Sequence, residues 1–445
     1  MNLINQLRHR FFIFRAKKLA FKTYKKFFKK NYSFQKDKFN TSLSTIVHIN
    51  TSDSGGGAAR VAHDLYDFQN AHSLQSFMIV SKKKINDDCV FEINRLNTRQ
   101  QHFLTVAEEE LQWQDFFQLS SLELPNYSAF KKADIIHLHN LHGGYFSPFA
   151  LPLISRQRPV VWSLHDMQAI TGHCAHSFDC ERWQIGCGKC PDIASYPGLK
   201  KDTTKFIFET KKKIYSQSNI NIVVVSNWLR DKVKKSMLSN FPVYTIHNGI
   251  NTMIYKKYDK VNARKILGIP NDMEVVLFSA ELGVNNPFKG GEYVKGIIEK
   301  NLQKNILFIN VGGAKEIEKT DWVWNIPYVL DAKEMAQYYS AADVYLYPTL
   351  AESFGLVILE AMACGLPVLT FNTGGVPELV IHNHTGYIAE YKNVEDLNAG
   401  LEILLKNHRL RNEMGDNAVR RVNEYFTLEI MNQNYLKLYN EILKS

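Results

Sequence analysis

The feature that most constrains this chain is an alternation, run through twice. Short β-branched runs at residues 45–50, 76–80, 134–138, 160–164, 220–225 and 243–247 are separated by stretches long enough for crossover helices. A second series follows at 275–279, 306–311, 344–347 and 368–371. Near-continuous apolar runs are what strands buried on both faces of a parallel sheet require. The pattern predicts an α/β protein with two doubly wound, Rossmann-like domains. The strand series restarts near His247-Asn248-Gly249, so the boundaries fall at 42–245 and 246–425. Met431, Tyr435, Leu438, Tyr439 and Leu443 have helical spacing, which makes 426–445 a C-terminal helix free to pack on either domain. Two such sheets facing each other across a cleft place the C-terminal ends of their strands, and their ligand loops, in that cleft.

Residues 1–41 stand outside this pattern, and here composition matters. The chain has a formal net charge of +10. Residues 1–40 hold twelve of its 54 Lys and Arg and one of its 44 acidic residues, leaving 42 basic against 43 acidic in the rest. A nearly neutral body with a basic segment attached argues against a nucleic-acid binder, whose charge is spread over its working face. No run of apolar residues reaches a membrane span, and Phe11-Phe12-Ile13-Phe14 is too short for a secretory signal. Ile4, Leu7, Phe11, Phe14, Phe21 and Phe28 recur at helical spacing with Lys and Arg between them, though Phe12, Leu19 and Phe27 blur the face. That composition fits a basic amphipathic helix lying on an anionic membrane surface; a solvated basic tail is the plainer reading.

Two glycine-framed loops point to phosphate. After the first strand comes Ser54-Gly55-Gly56-Gly57-Ala58-Ala59-Arg60, a strand–turn–helix arrangement in which backbone N–H groups can face an anion. It is not a GxGxxG sequence and lacks a Walker lysine; a simple tight turn would look the same. The stronger feature runs from Pro348 to Gly365. Glu352 precedes a helix expected to begin near Ser353 or Phe354, and Glu360 follows eight residues later. The N–H groups of Phe354, Gly355 and Leu356 then form an anion site between two carboxylates. Helical spacing puts the carboxylates about 12 Å apart along the axis, too far for a covalent double-displacement pair.

The Glu352-x7-Glu360 block, followed by Gly365-Leu366-Pro367-Val368 and Gly374-Gly375-Val376-Pro377-Glu378, resembles the retaining nucleotide-sugar glycosyltransferases of family four, which have the GT-B fold. Ser226-Asn227-Trp228, His247-Asn248-Gly249-Ile250, Lys289-Gly290 and Ala341-Ala342-Asp343 extend the likeness from residue 44 to the end of the chain. The resemblance implies roles. Glu352 contacts the transferred sugar, Glu360 binds the ribose hydroxyls, and Phe354, Gly355 and Leu356 bind the diphosphate through their backbone. Lys289 and His165 complete the catalytic set, His165 standing beside the donor sugar, with Gly55, Gly56 and Gly57 at the donor. The family's arginine on the diphosphate is missing: the segment after 275–279 reads Ala280-Glu281-Leu282-Gly283, with Arg60 or Arg230 as replacements. Retention by front-face attack follows from the resemblance. No catalytic cofactor is expected, since Lys289 and a helix N-terminus can stabilise the leaving diphosphate and no Asp-x-Asp motif is placed to hold a metal.

Cys174, Cys180, Cys187 and Cys190 lie within 171–191. The Cys-x2-Cys pair with two further thiols suits a tetrahedral structural zinc, with His173 or His176 as a substitute ligand; two disulfides or four free thiols are the other readings. The segment is similar to a loop in polysaccharide-building members of the same family.

The expected function is transfer of a sugar from a nucleotide-diphosphate donor to a saccharide or lipid-linked acceptor. The setting would be cell-surface polysaccharide or lipopolysaccharide assembly, by a cytoplasmic protein peripheral on the inner face of the membrane through residues 1–40. A GT-B nucleotide-sugar epimerase, or a non-catalytic glycosyltransferase-like membrane scaffold, are the alternatives.

Overall fold

The computed structural model describes residues 3–29 and 42–445, with side chains of the first helix described from Arg10 to Phe28. Ile4 and Leu7, read above as part of the helical stripe, and the end of the basic segment at 30–41 lie outside the described side chains. Two compact units are present. The first takes the described residues up to Val225, then Leu229–Ile246 and Asn432–Ser445; the second takes Ser226–Trp228 and His247–Met431.

In the first unit, strands β1 (Thr45–Ser52), β2 (Gln75–Lys82), β3 (Val90–Glu92), β4 (Ile135–Leu138), β5 (Val160–Leu164), β6 (Asn221–Val224) and β7 (Val243–Thr245) form one parallel sheet. Their order is β3-β2-β1-β4-β5-β6-β7. The sheet is buried on both faces: Ile46, Val47, Ile49, Ile135, Ile136 and Val161 have no exposed surface. Each such side chain contributes about 1.5–3 kcal/mol by leaving water. The strand order reverses between β1 and β4, and a doubly wound sheet opens a ligand crevice at the C-terminal ends of the strands at that point. The loops that leave β1 and β4 there begin at Asp53 and His139.

The second unit repeats the plan. Strands β8 (Glu274–Ser279), β9 (Ile306–Ala314), β10 (Glu318–Lys319), β11 (Val323–Pro327), β12 (Val344–Tyr347), β13 (Val368–Phe371) and β14 (Gly386–Ala389) are ordered β10-β11-β9-β8-β12-β13-β14. All neighbours are parallel except β10 with β11. The switch point falls between β8 and β12. Asp343 locks the opposite, N-terminal end of this sheet. It takes Arg264 Nη2 and Lys260 Nζ at 2.7 Å and the Val275 N–H at 2.8 Å. Burial raises its pKa, but Lys260, Arg411 and the Val275 N–H outweigh that and hold the carboxyl below its usual range.

The last helix, Leu428–Lys444, sends its outer half into the first unit, where Tyr435 and Tyr439 are fully buried. The basic segment also belongs there. Helix α1 (Leu3–Lys29) packs on α3 (Arg99–Leu111), with Ala16 and Ala20 completely covered. Phe12 stacks on Phe103 at 4.4 Å, Tyr24 reaches Trp113 and Phe206, Phe27 meets Phe149 at 4.1 Å, and Lys17 pairs with Glu110 at 3.5 Å. So the docked stripe takes in Phe12 and Phe27, which blurred the expected face, together with Phe21 on Trp113 and Phe28 on Phe149 from that face. Phe11 and Phe14 are instead 63% and 64% exposed. The reason is tertiary: an aromatic groove of Trp113, Phe149 and Phe206 selects the face that carries small Ala16 and Ala20.

Candidate functional site

The strands at the switch point of the second unit supply the residues singled out from the sequence. Lys289 lies in the turn after β8 and Glu352 in the loop after β12, and Lys289 Nζ donates to Glu352 Oε2 at 2.6 Å. Tyr347 OH, at the end of β12, donates to the same oxygen at 3.0 Å. Burial raises the Glu352 pKa, but Lys289, the Phe354 N–H and Tyr347 outweigh it, so the carboxyl stays ionised below its usual range. Glu360 is 4% exposed and accepts from Tyr339 OH at 3.0 Å.

Glu352 is not in the helix. The helix spans Leu356–Ala363 and begins on Gly355, whose φ of 107° a residue with a side chain rarely adopts. The helix therefore starts two to three residues later than the expected Ser353 or Phe354, and axial helical spacing does not measure the Glu352–Glu360 separation. The Phe354 N–H is directed to Glu352 Oε1 at 3.4 Å. Gly374 holds the Glu352 loop from behind: at φ 55°, an added Cβ would sit 1.8 Å from the Glu352 carbonyl oxygen, and Gly375 N–H donates to that oxygen at 3.0 Å.

Three further motif fragments meet at Glu378. Its carboxylate accepts the N–H groups of Asn227 and Trp228 at 2.8 Å and faces His247 Nε2 at 3.1 Å. A carboxylate at a helix start satisfies N–H groups that have no helical partner. These residues build the frame of the unit.

In the first unit, Gly55 and Gly56 have φ of 84° and 76° and lead into α2 (Gly57–Ala71). Open space lies where a Gly56 Cβ would stand, and Lys84 Nζ is 3.3 Å from a Gly55 Cβ. His165, just past β5, bonds through Nε2 to His139 Nδ1 at 3.2 Å, and burial pushes its pKa down to about 4. Beside it Asp166 pairs with His142 at 2.9 Å. Arg60 and Arg230, named as replacements for the missing arginine, both lie in this unit, with Arg60 near Asp64 and Arg230 near Asp231. Sequence reasoning missed Tyr347, Tyr339, His139 and His142. The spacing His137-x-His139-x2-His142 at a strand end was the available signal for the last two.

Cys174, Cys180, Cys187 and Cys190 line one small cavity with His173 and Trp183. No disulfide joins them. Cys190 Sγ is 3.5 Å from His173 Nε2, and Gly172 N–H donates to Cys187 Sγ at 3.2 Å. Gly186, Cys187, Gly188 and Lys189 all have positive φ, a tight knuckle around one thiol. Burial raises the Cys174 and Cys187 thiols to about 12 and about 11. The donor set suits zinc, though the four sulfurs are not gathered as closely as the ligand atoms of His48, His137 and His139, which lie within 4.8 Å of one another.

Two family models match the chain: glycosyltransferase family 4 over residues 55–253 and glycosyl transferases group 1 over 259–421. An uncharacterised glycosyltransferase of Methanocaldococcus jannaschii is 26% identical over 56% of this chain and 66% of its own. An N-acetyl-alpha-D-glucosaminyl L-malate synthase of Bacillus anthracis is 26% identical over 51% and 61%. A capsular polysaccharide biosynthesis glycosyltransferase of Staphylococcus aureus is 24% identical over 57% and 70%. The matches thus span about two thirds of these relatives' lengths. Among solved structures, sucrose-phosphate synthase of Thermosynechococcus elongatus superposes with a TM-score of 0.66 at 18% identity, covering 90% of this chain and all but 1% of its own. An Anabaena protein in complex with UDP-glucose superposes with a TM-score of 0.60 at 16% identity, covering 89% and 99%.

Proposed function

We propose that this chain, a GT-B glycosyltransferase of the group 1 and family 4 type, transfers one sugar with retention from a nucleotide-diphosphate sugar to a saccharide or lipid-linked acceptor. The observation that carries the reading is the Lys289–Glu352 pair at the switch point of the second sheet. Glu360 takes the ribose hydroxyls, and Gly355 and Leu356 present backbone N–H groups to the diphosphate. Lys289 has three N–H donors, so it can serve Glu352 and a phosphate oxygen together. The transition state has oxocarbenium character. An ionised Glu352 stabilises that positive charge, while Lys289 and the helix start offset the charge growing on the leaving diphosphate. The diphosphate itself is the base in front-face attack, and no divalent ion is needed. The UDP-glucose complex of a similar fold supports a nucleotide-sugar donor, and the capsular relative supports polysaccharide assembly. A screen of slow donor hydrolysis across nucleotide sugars, with and without EDTA, tests this. No hydrolysis of any donor, or an epimerised donor, would refute it.

The cysteine loop is proposed to hold one structural zinc through Cys174, Cys180, Cys187 and Cys190, the sulfurs drawing together on binding. Metal analysis should give close to one zinc per chain; four titratable thiols in a metal-free purified protein would end the idea.

The outer face of α1 is proposed to rest on an anionic membrane. Phe11 and Phe14 stand exposed among Arg10, Arg15, Lys18, Lys22 and Lys25. Each basic residue near such a surface contributes about 1 kcal/mol. No helix among the described residues is long and apolar enough to cross a membrane. Phe11→Asp with Phe14→Asp should abolish co-flotation with anionic vesicles; unchanged flotation would refute it.

A further inference from the structure

The first unit buries a polar network that the proposed chemistry does not use. His48 on β1 is the register partner of His137 on β4, and His139 lies two residues further along the same face. His137 sits between Tyr439 OH and Ser163 Oγ, each at 2.7 Å, and Ser163 continues to Tyr435 OH at 2.8 Å. A second branch leaves from α2. Gln69 Oε1 meets His48 Nε2 at 2.9 Å, His48 Nδ1 meets His139 Nε2 at 3.1 Å, and His139 Nδ1 meets His165 Nε2 at 3.2 Å. The close trio His48, His137 and His139 invites a metal. The bonding argues otherwise, because both ring nitrogens of each already have a partner and no lone pair is left for a cation.

The second branch has a direction. A neutral imidazole that donates from one nitrogen accepts at the other. With Oε1 of Gln69, rather than Nε2, facing Ser76 OH at 3.0 Å and His48 Nε2 at 2.9 Å, the amide oxygen accepts from both. His48 Nδ1 must then accept from His139 Nε2–H, and His139 Nδ1 from His165 Nε2–H. Only Nδ1 of His165 remains as an acceptor. Burial disfavours the charged form of His48, His139 and His165, so the chain stays neutral at working pH. The charged groups facing His165 are Asp166 and His142, and these neighbours pair with each other.

We propose that Gln69, His48 and His139 are positioning residues that fix the tautomer of His165, so that it offers Nδ1 as a hydrogen-bond acceptor to a hydroxyl of the donor sugar. The proposal rests on the assignment of His165 to the sugar. It extends the reacting machinery to a glutamine three hydrogen bonds away.

The test has two arms. In protein labelled with ¹⁵N-histidine, long-range ring correlations report each tautomer without any substrate. Wild-type His165 should be the Nε2–H form, and Gln69→Met should yield a mixture. In steady-state kinetics, Gln69→Met should lower kcat on the order of tenfold, the scale of one hydrogen bond, with KM for the donor unchanged. In a His165→Ala background the same change should cost nothing more. An Nδ1–H form in the wild type overturns the proposal even if no variant folds. So does an unaltered tautomer in Gln69→Met, an additive loss in the double variant, or stoichiometric cobalt bound with histidine ligation. If the protein turns over no nucleotide sugar, the functional reading fails, while the ring correlations still decide the relay.

Discussion

Lys289 and Glu352 are 63 positions apart in sequence and 2.6 Å apart in space. The loops after β8 and β12 bring them together, because those two strands are neighbours at the point where the strand order reverses. The pair holds the carboxyl below its usual range in a largely buried place where burial alone would raise its pKa.

That coupling predicts a pH effect. In Lys289→Ala, burial should dominate and the Glu352 carboxyl should protonate at higher pH. The acid limb of the kcat profile should move up, and kcat at its optimum should fall about 10²–10³-fold, as when one stabilising donor is lost. A full pH profile of the variant checks both, and an acid limb that does not move would show that Lys289 does not govern Glu352.

Gly374→Ala should be nearly as damaging without touching the ligand. Its Cβ would overlap the Glu352 carbonyl oxygen, so the Glu352 loop must shift. We expect at least a hundredfold loss in kcat with the circular dichroism spectrum retained; a 1 Å misplacement is enough for that. Gly296→Ala, where an added Cβ meets only the Val394 side chain at 3.7 Å, is the milder comparison.

Asp343 should set acid stability. Its carboxyl is held below the unfolded value, so it contributes stability that is full above about pH 4 and is lost as pH falls through the lower folded value. Asp343→Ala leaves Arg264 buried on backbone carbonyls with no carboxylate against it and should cost about 3–5 kcal/mol at neutral pH. Urea unfolding of the two proteins at pH 7 and pH 3 should give a difference that shrinks toward the acid end.

Removing residues 1–40 should not be a clean way to detach the protein from membranes. Trp113 and Phe149 are now 5% and 2% exposed, and α1 covers them. The truncated protein should unfold several degrees lower and bind a hydrophobic dye. An unaltered thermal midpoint would mean that α1 does not dock in solution.

The two sheets and the loop around Glu352 were legible in the sequence because buried parallel strands read as apolar runs and because glycine and proline punctuate that loop. Strands β3, β10, β11 and β14 were not. β3 and β10 have only three and two residues, and β10 is Glu318-Lys319, with both residues exposed, so nothing in its composition marks a strand; β11 and β14 are only partly buried and so lack the continuous apolar run of a central strand. The helical period of α1 was readable, but two overlapping stripes share it. The choice between them depends on Trp113, Phe149 and Phe206, which are distant in sequence. Glu352 was legible as a residue but not in its setting, since Gly355 delays the helix. The histidine relay was out of reach because its members come from β1, α2, the residue after β4 and the residue after β5, and only folding puts them in a line.

The central claim is that Glu352, held by Lys289, faces the anomeric carbon of a nucleotide-sugar donor. Proton NMR of the wild type and of Glu352→Ala during hydrolysis of the preferred donor tests it most directly. The account predicts that the wild type first releases the sugar in the donor's own anomeric configuration, and that Glu352→Ala, though folded and still binding the nucleotide, releases none. Unchanged turnover in the variant, or a sugar released first as the opposite anomer, would contradict it.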